Sequence, residues 1–597
     1  MKDLAYLNKY FYKYRWKLIP GIIFVIISNV FGVIPAQVIR LAFDLVNENI
    51  SIFRLFNDFE KQNLIYKTFS YSLLLFGAAV LLLALLRGIF LFFMRQTIIL
   101  MSRHIEYDLK NEIYQHYQDL SMSFYRRNNT GDLMNRATED VSRVRMYVGP
   151  AIMYAINTVV LFLLVIAAMV TVNVKLTIYS ILPLPVLGMM IYYVHNLINI
   201  RSEKIQEQLS KLSSFVQENF SGIRVIKAYG REAYIRRRFG EESERYKHTS
   251  LALVQVQALF YPIMLLLIGL STIITVYIGG IEVINGTITP GNIAEFIVYV
   301  TQLTFPVMSL GWVTSLVQRA AASQKRINEF LQSQSDISSS SQEKISLKGD
   351  IEFRNVSFRY PDTGIKALNN ISFHVKAGEF LAIIGRTGSG KSTIANLILR
   401  MYDTTGGNIL VDGTPVQQLN LDSYRKQIGF VPQEVFLFSD TIANNIAFGE
   451  SSLDKDKVEQ AAKDSAVYNN IAEFDEGFET MVGERGLTLS GGQKQRISIA
   501  RALIRQPALL IFDDCLSAVD TRTEEEILNN LGRNMTGKTS ILIAHRVSTI
   551  KNADRILVLD SGNIIEQGNH EELLRLKGAY FELYEKQLLE EQQLDNI

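Results

Sequence analysis

Six apolar stretches dominate the first half of the chain, near residues 18–38, 69–94, 147–170, 176–198, 257–279 and 293–317. Each is close to the roughly 20 residues with which a helix crosses hydrocarbon. One such run can be a buried helix of a soluble protein, but six in succession predict an all-α membrane domain with six spans. The first, from Leu18 to Val38, is longer than a signal-peptide core of about 7–15 residues, and no small-residue cleavage pattern follows it, so it reads as a retained span. Ahead of it, residues 2–16 mix Lys and Arg with Tyr, Phe, Leu and Trp, which predicts an interfacial helix lying along membrane lipids over 1–16.

The basic residues orient these spans. The segment 102–146 carries Arg103, Lys110, Arg126, Arg127, Arg136, Arg143 and Arg145, and 199–250 includes Arg236, Arg237 and Arg238. The connection at 171–175 is short, and 280–289 holds one acid and no base. Positive residues stay on the cytoplasmic side, so both long polar segments and both termini are expected on the cytoplasmic face of the cytoplasmic (inner) membrane, together with the second half of the chain. These segments are charged, helical in pattern and poor in Gly and Pro, so the spans should continue into the cytoplasm as helices. Turn signals mark their tips near Phe124–Asp132 and Ala228–Glu232, which read as docking points.

A chain of 597 residues needs more than one core. The membrane domain is expected over 17–330. The Ser-rich, charged stretch 331–348 cannot bury enough apolar surface to fold alone and reads as a linker. Beyond it, β-rich runs at Ile351–Tyr360, Phe380–Ile384, Leu509–Asp513, Ser540–Ala544 and Arg555–Leu559 alternate with helical ones. That alternation predicts an α/β domain over 349–585 with a mainly parallel core sheet, followed by a tail at 586–597. The net charge of +2 argues neither for nor against nucleic acid, and no nucleic-acid partner is expected. The single cysteine, Cys515, cannot form an intrachain disulfide and reads as a small buried apolar residue.

The sharpest chemical signal is Gly385-Arg386-Thr387-Gly388-Ser389-Gly390-Lys391-Ser392, which follows an apolar strand and opens a helical pattern near Thr393. In that context it is a phosphate loop, which makes this α/β domain, on the cytoplasmic face, a nucleotide-binding domain. Its glycines let backbone N–H groups curl around phosphate oxygens at a helix N-terminus, where the dipole favours anions. Lys391 should reach the terminal phosphates of ATP, and Ser392 should ligate Mg2+. Leu509–Asp513 reads as a buried strand ending in a carboxylate, and Asp513 can hold the same metal. Between them, Leu489-Ser490-Gly491-Gly492-Gln493 precedes a helix rich in Gln and Arg.

That last run matches the signature of ATP-binding-cassette proteins, and over essentially its whole length the chain resembles an ABC exporter half-transporter of the bacterial multidrug and lipid class. The resemblance assigns further roles. It implies that Tyr360 stacks on adenine, that Gln433 is the glutamine that senses Mg2+ and contacts the membrane domain, and that His545 is the switch histidine. Ser517-Ala518-Val519-Asp520 resembles the loop that faces the neighbouring subunit. It also implies a dimer in which ATP lies between the phosphate loop of one chain and Ser490 to Gln493 of another. Closure on ATP and release on hydrolysis would then drive alternating access of the spans to an amphiphilic drug or lipid.

One residue departs from the pattern. Where the family usually places the glutamate that polarises the attacking water, this chain has Asp514. Its shorter side chain predicts normal ATP binding with slow hydrolysis. A heterodimer, in which Ser490 to Gln493 complete a partner's faster site, is the favoured reading. A homodimer in which Asp514 still serves beside His545 is the alternative. A different class also remains: a regulatory ATP-binding subunit that gates or stabilises a partner transporter with little hydrolysis.

Within the spans, Arg87 and Arg95, with Arg40 and Asp44 beyond the first span, are functional candidates because charge there is costly, although they can equally snorkel or pair with one another. Asn29, Asn157, Gln302 and Gln318 could line a cavity or bond between helices. Met153, Met189, Met190 and Met264 would suit a pliable pocket or ordinary packing.

Overall fold

The structure, a computed structural model, describes residues 2–55, 59–339, 341–450, 452–483, 486, 489–516, 521–535 and 537–595. The chain forms two compact units: Met1–His116 with Gly131–Ser333, and Tyr117–Thr130 with Gln334–Ile597.

The first unit is helical. Among the described residues six helices are long and apolar enough to cross a membrane: Arg15–Ile50, Tyr66–Asp119, Thr130–Val172, Val174–Ser221, Glu232–Ile284 and Pro290–Leu331. At 1.5 Å per residue the 54 residues of the second helix reach about 80 Å, far more than the roughly 30 Å of hydrocarbon, so the apolar stretches do continue as long polar helices. Their breaks follow from local chemistry. The side chain of Asn173 accepts from Leu176 N–H and starts the fourth helix one residue after the third ends. Thr289 and Asn292 form a capping box that opens the sixth, with Pro290 in its first turn. The third helix widens to π turns at Arg136–Asp140 and Tyr147–Ala151, and the second of these absorbs Pro150, which has no N–H to give the ladder.

The sixth helix supplies the centre of this unit. Phe296, Tyr299, Val300 and Leu303 are fully buried against Val33, Ala36, Val165, Met169 and Leu187. The N-terminal segment is helical at Lys2–Leu7 and Asn8–Lys13. It buries Leu4, Leu7 and Tyr10, and its Lys9 and Lys13 pair with Glu112 and Asp108 of the second helix at 2.7 and 2.6 Å.

Among the described residues the second unit holds ten strands: β1 (Ile351–Arg359), β2 (Lys366–Val375), β3 (Phe380–Gly385), β4 (Gly406–Val411), β5 (Thr414–Pro415), β6 (Ile428–Val431), β7 (Leu509–Asp513), β8 (Thr539–Ile543), β9 (Arg555–Asp560) and β10 (Asn563–Gly568). Six of them form a sheet in the order β10-β9-β3-β8-β7-β6. It is parallel except for β10, and β7 and β8 are buried at every residue, as apolar strands covered on both faces must be. A second, antiparallel sheet, β2-β1-β4-β5, packs Phe353 on Phe373 at 4.4 Å. Of its strands only β1 was legible in the sequence. The stretch read as a linker is also partly anchored: Ile345 N–H donates to Ser423, Leu347 is buried, and Lys348 N–H donates to Asp412. Cys515 is buried, as expected.

Candidate functional site

The strand order builds the site. Because β3, β8, β7 and β6 are neighbours running the same way, their C-terminal ends form a row, the place where parallel α/β sheets bind ligands. The phosphate loop leaves β3, Ala544 and His545 leave β8, Asp513 ends β7 with Asp514 next, and Gln433 lies two residues after β6. These ends meet in a cavity of about 470 Å³ lined by Thr387, Gly388, Gly390, Lys391, Ser392, Thr393, Gln433, Asp513, Asp514 and His545, and by Tyr360, one residue after β1.

The loop opens the helix Lys391–Ile398, with Gly390 as its N-cap at φ +101°. A Cβ there would lie 2.5 Å from the Ala367 carbonyl, so only glycine fits the turn. Lys391 is buried, and its Nζ donates to the carbonyls of Gly385 and Arg386 at 2.8 and 3.0 Å. Burial lowers its pKa, against the attraction of Asp514 and Asp513. The Ser392 hydroxyl donates to Asp513 at 3.0 Å. Burial pushes the Asp513 carboxyl up, with Asp514 adding in the same direction and the Ser392 hydrogen bond opposing both.

Asp514 adopts φ +45°, a left-handed conformation that Asp tolerates better than most residues, and its N–H donates to Ile543 of β8 at 2.9 Å. Its Oδ2 accepts from Gln433 Nε2 at 3.2 Å and lies 4.0 Å from His545 Nε2. The structure therefore brings Gln433, Asp514 and His545 together over the phosphate loop. The Tyr360 hydroxyl and that of Thr393 share a hydrogen bond of 3.0 Å. The ring of Tyr360 meets Phe358 and Tyr402 edge-on at 4.9 and 5.5 Å.

Ser490, Gly491, Gly492 and Gln493 do not line this cavity. Ser490 instead caps the helix Gly491–Leu503 in a capping box with Gln493, and Ser490 and Gly491 are exposed. Gly385, Arg386 and Ser389 shape the loop without lining the cavity, and the Ser389 hydroxyl is buried without a hydrogen-bond partner among the described residues. Ser517 to Asp520 lie outside the described residues. Sequence reasoning missed Arg126, which lines the cavity with its guanidinium 4.7 Å from the Tyr360 ring centre and 3.4 Å from Asp362. Its signal was the turn-rich tip around 124–132, whose residues 124–130 belong to this unit.

Comparison with known proteins agrees with this geometry. Residues 18–307 match the family of the ABC transporter transmembrane region, and residues 368–517 match the ABC transporter family. A multidrug resistance-like ATP-binding protein of Escherichia coli is 33% identical over 99% of this chain and 97% of its own length. The chain belongs to the ABC exporters. An ATP-dependent lipid A-core flippase of Syntrophus aciditrophicus is 36% identical over 86% of this chain and 85% of its own. The solved structure of a bacterial Atm1-family ABC exporter with ATP bound superposes with a TM-score of 0.74 at 27% identity, covering 96% of this chain and 98% of that one. This ABC exporter is therefore a multi-pass membrane protein with an ATP-binding domain of the kind that couples hydrolysis to transport.

The donor set also fits magnesium. Among the described residues no group of three or more His, Cys, Asp and Glu side chains could cage a metal. One carboxylate, Asp513, beside one hydroxyl, Ser392, is what Mg2+ uses when nucleotide phosphates and water complete its octahedron.

Proposed function

We propose that this chain is half of an ATP-driven exporter that moves an amphiphilic small molecule or lipid out of the cytoplasm by alternating access, with two chains closing on ATP. The observation that carries the dimer is the separation of Ser490 to Gln493 from the phosphate-loop cavity of the same chain. A site with one wall missing needs a second chain's signature to hold the terminal phosphate. The tip of the second cytoplasmic extension favours the same reading: the helix Ile223–Ala228 buries nothing, and Phe220, Val225 and Tyr229 are 72%, 61% and 77% exposed. Such a patch suits docking on a partner's nucleotide domain. Basic segments on one side of the spans support a cytoplasmic nucleotide domain in the inner membrane.

Within the site, Lys391 and the loop N–H groups hold the phosphates. Ser392, Asp513 and Gln433 hold Mg2+, which screens the charge of the triphosphate when bound. Tyr360 carries the adenine, and Thr393 fixes the ring through its hydroxyl. Asp514 orients the attacking water and accepts its proton, while His545 steadies the γ-phosphate. With its carboxylate drawn back by one methylene, Asp514 makes this site slow, and the favoured partner is a second half-transporter with Glu at that position, whose faster site Ser490 completes. Phosphate release from the purified chain, alone and with such a partner, tests the pairing. Low turnover alone and high turnover together support the heterodimer, whereas high turnover alone establishes the homodimer.

A further inference from the structure

In the membrane unit a cavity of about 730 Å³, open on one side, lies between the first, second, third and sixth spanning helices. Much of its wall is apolar or aromatic, from Leu91, Phe92, Met94, Met153, Tyr154 and Phe305. Into the same space come Arg87 and Arg95 of the second helix, and among the described residues no carboxylate lines it. The Nε of Arg87 is buried without a hydrogen-bond partner among the described residues. Its guanidinium lies against Gly32 of the first helix, where a Cβ would stand 3.1 Å from Nε and Cζ. Gln302 Nε2 donates to the carbonyl of that glycine at 2.9 Å and leaves its own Oε1 buried without a partner. Asn29 and Asn157 are bonded to each other at 2.9 Å.

Two other charged groups of this unit's spanning helices are matched. Arg40 meets the fully buried Glu295 at 3.3 Å, and Lys175 meets Glu282 at 2.9 Å. Unmatched positive charge at membrane depth is costly, and it is retained where it acts on a ligand or pathway. A pair of guanidinium groups two helical turns apart, above an aromatic and aliphatic wall, is complementary to a negative headgroup carried on an apolar tail.

We propose that this cavity binds anionic amphiphiles, with Arg87 and Arg95 on a phosphate, sulfate or carboxylate headgroup and the aromatic wall on the tail. The inference rests on the exporter reading for its role in transport, but not for binding itself. The second spanning helix buries none of its apolar window within the chain, so the open side of the cavity is left to the second half-transporter.

Trp312 packs edge-on against Tyr154 of the wall at 5.2 Å, and the chain's other tryptophan is Trp16. The full-length Trp16→Phe protein in phosphatidylcholine nanodiscs therefore reports occupancy by its fluorescence. Without ATP it is titrated with dodecyl phosphate, dodecyl maltoside and dodecyltrimethylammonium, and in a second arm with short-chain phosphatidylglycerol against short-chain phosphatidylcholine. The anion is expected to bind at least about tenfold tighter than the cation, and Arg87→Gln or Arg95→Gln to remove about tenfold of that preference, with Arg87→Lys restoring part. Response to dodecyl phosphate alone assigns the site to small amphiphiles, and response to phosphatidylglycerol assigns it to lipid. Equal or tighter binding of the cation by the unsubstituted cavity overturns the proposal, even if an arginine variant fails to fold. So does a preference unchanged in both folded variants. Anion-selective binding without ATP-dependent transport would sink the exporter reading alone.

Discussion

Replacing Asp514 by Glu tests how this site spends ATP. The Asp514 carboxylate already touches Gln433 at 3.2 Å but stops 4.0 Å from His545. One more methylene adds a C–C bond of about 1.5 Å, enough to carry the base toward the water above the phosphate loop. Misplacement on the order of 1 Å costs about 10²-fold, or about 2.7 kcal/mol of barrier, so Asp514→Glu should raise phosphate release from several-fold to about 10²-fold. The backbone sets a counter-cost. At φ +45° a longer side chain is less at ease than Asp, and a penalty of about 1 kcal/mol would lower the melting temperature of a domain this size by about 2–4 °C. Phosphate release per folded protein, measured beside a thermal melt, separates the two effects. Vigorous wild-type turnover, or a folded variant with no gain, would refute the reasoning.

Three further outcomes follow from the geometry. Because the folded-state pKa of Asp513 is raised by burial, its ionised form is lost on acidification sooner than that of a free carboxylate; Mg·ATP affinity should therefore fall as pH drops from above the ordinary carboxylate range, and titration by fluorescent nucleotide should find that dependence gone in Asp513→Asn. Gly390→Ala forces a Cβ to within 2.5 Å of the Ala367 carbonyl at φ +101°, so it should destabilise the nucleotide domain by about 1–3 kcal/mol, read as a lower denaturant midpoint. Arg40→Met leaves the buried Glu295 without its cation, held only by hydrogen bonds from Asn292 and Tyr299, at a cost of about 1–3 kcal/mol, whereas the double variant with Glu295→Gln should recover most of that in a detergent melt.

The spans and the parallel strands were legible because their signals are local. Each span is a mostly apolar run of about 20 residues, and β3, β7, β8 and β9 are short apolar runs bounded by turn residues. The phosphate loop was legible because glycines at fixed spacing impose one backbone path. The residues 390–393 and 513–514 were placed in the site by motif, and the strand order supplies the reason they meet. What was not legible depends on distant partners. The antiparallel strands β2 and β4 are half-exposed, so their apolar positions are interrupted by polar ones. Arg126 reaches the nucleotide cavity from a segment more than two hundred residues earlier, beyond any spacing rule. Among the polar residues of the spans, sequence could not separate Arg40, which finds Glu295, from Arg87, which finds no partner for its Nε.

The most direct measurement is ATP-dependent accumulation of a fluorescent amphiphile in inside-out membrane vesicles containing this chain, with and without a second half-transporter. Accumulation that requires Mg·ATP and disappears in Lys391→Ala is the predicted result. Uptake indifferent to ATP and to that substitution, or ATP binding without any accumulation when a competent partner is present, would contradict the exporter and leave a regulatory subunit.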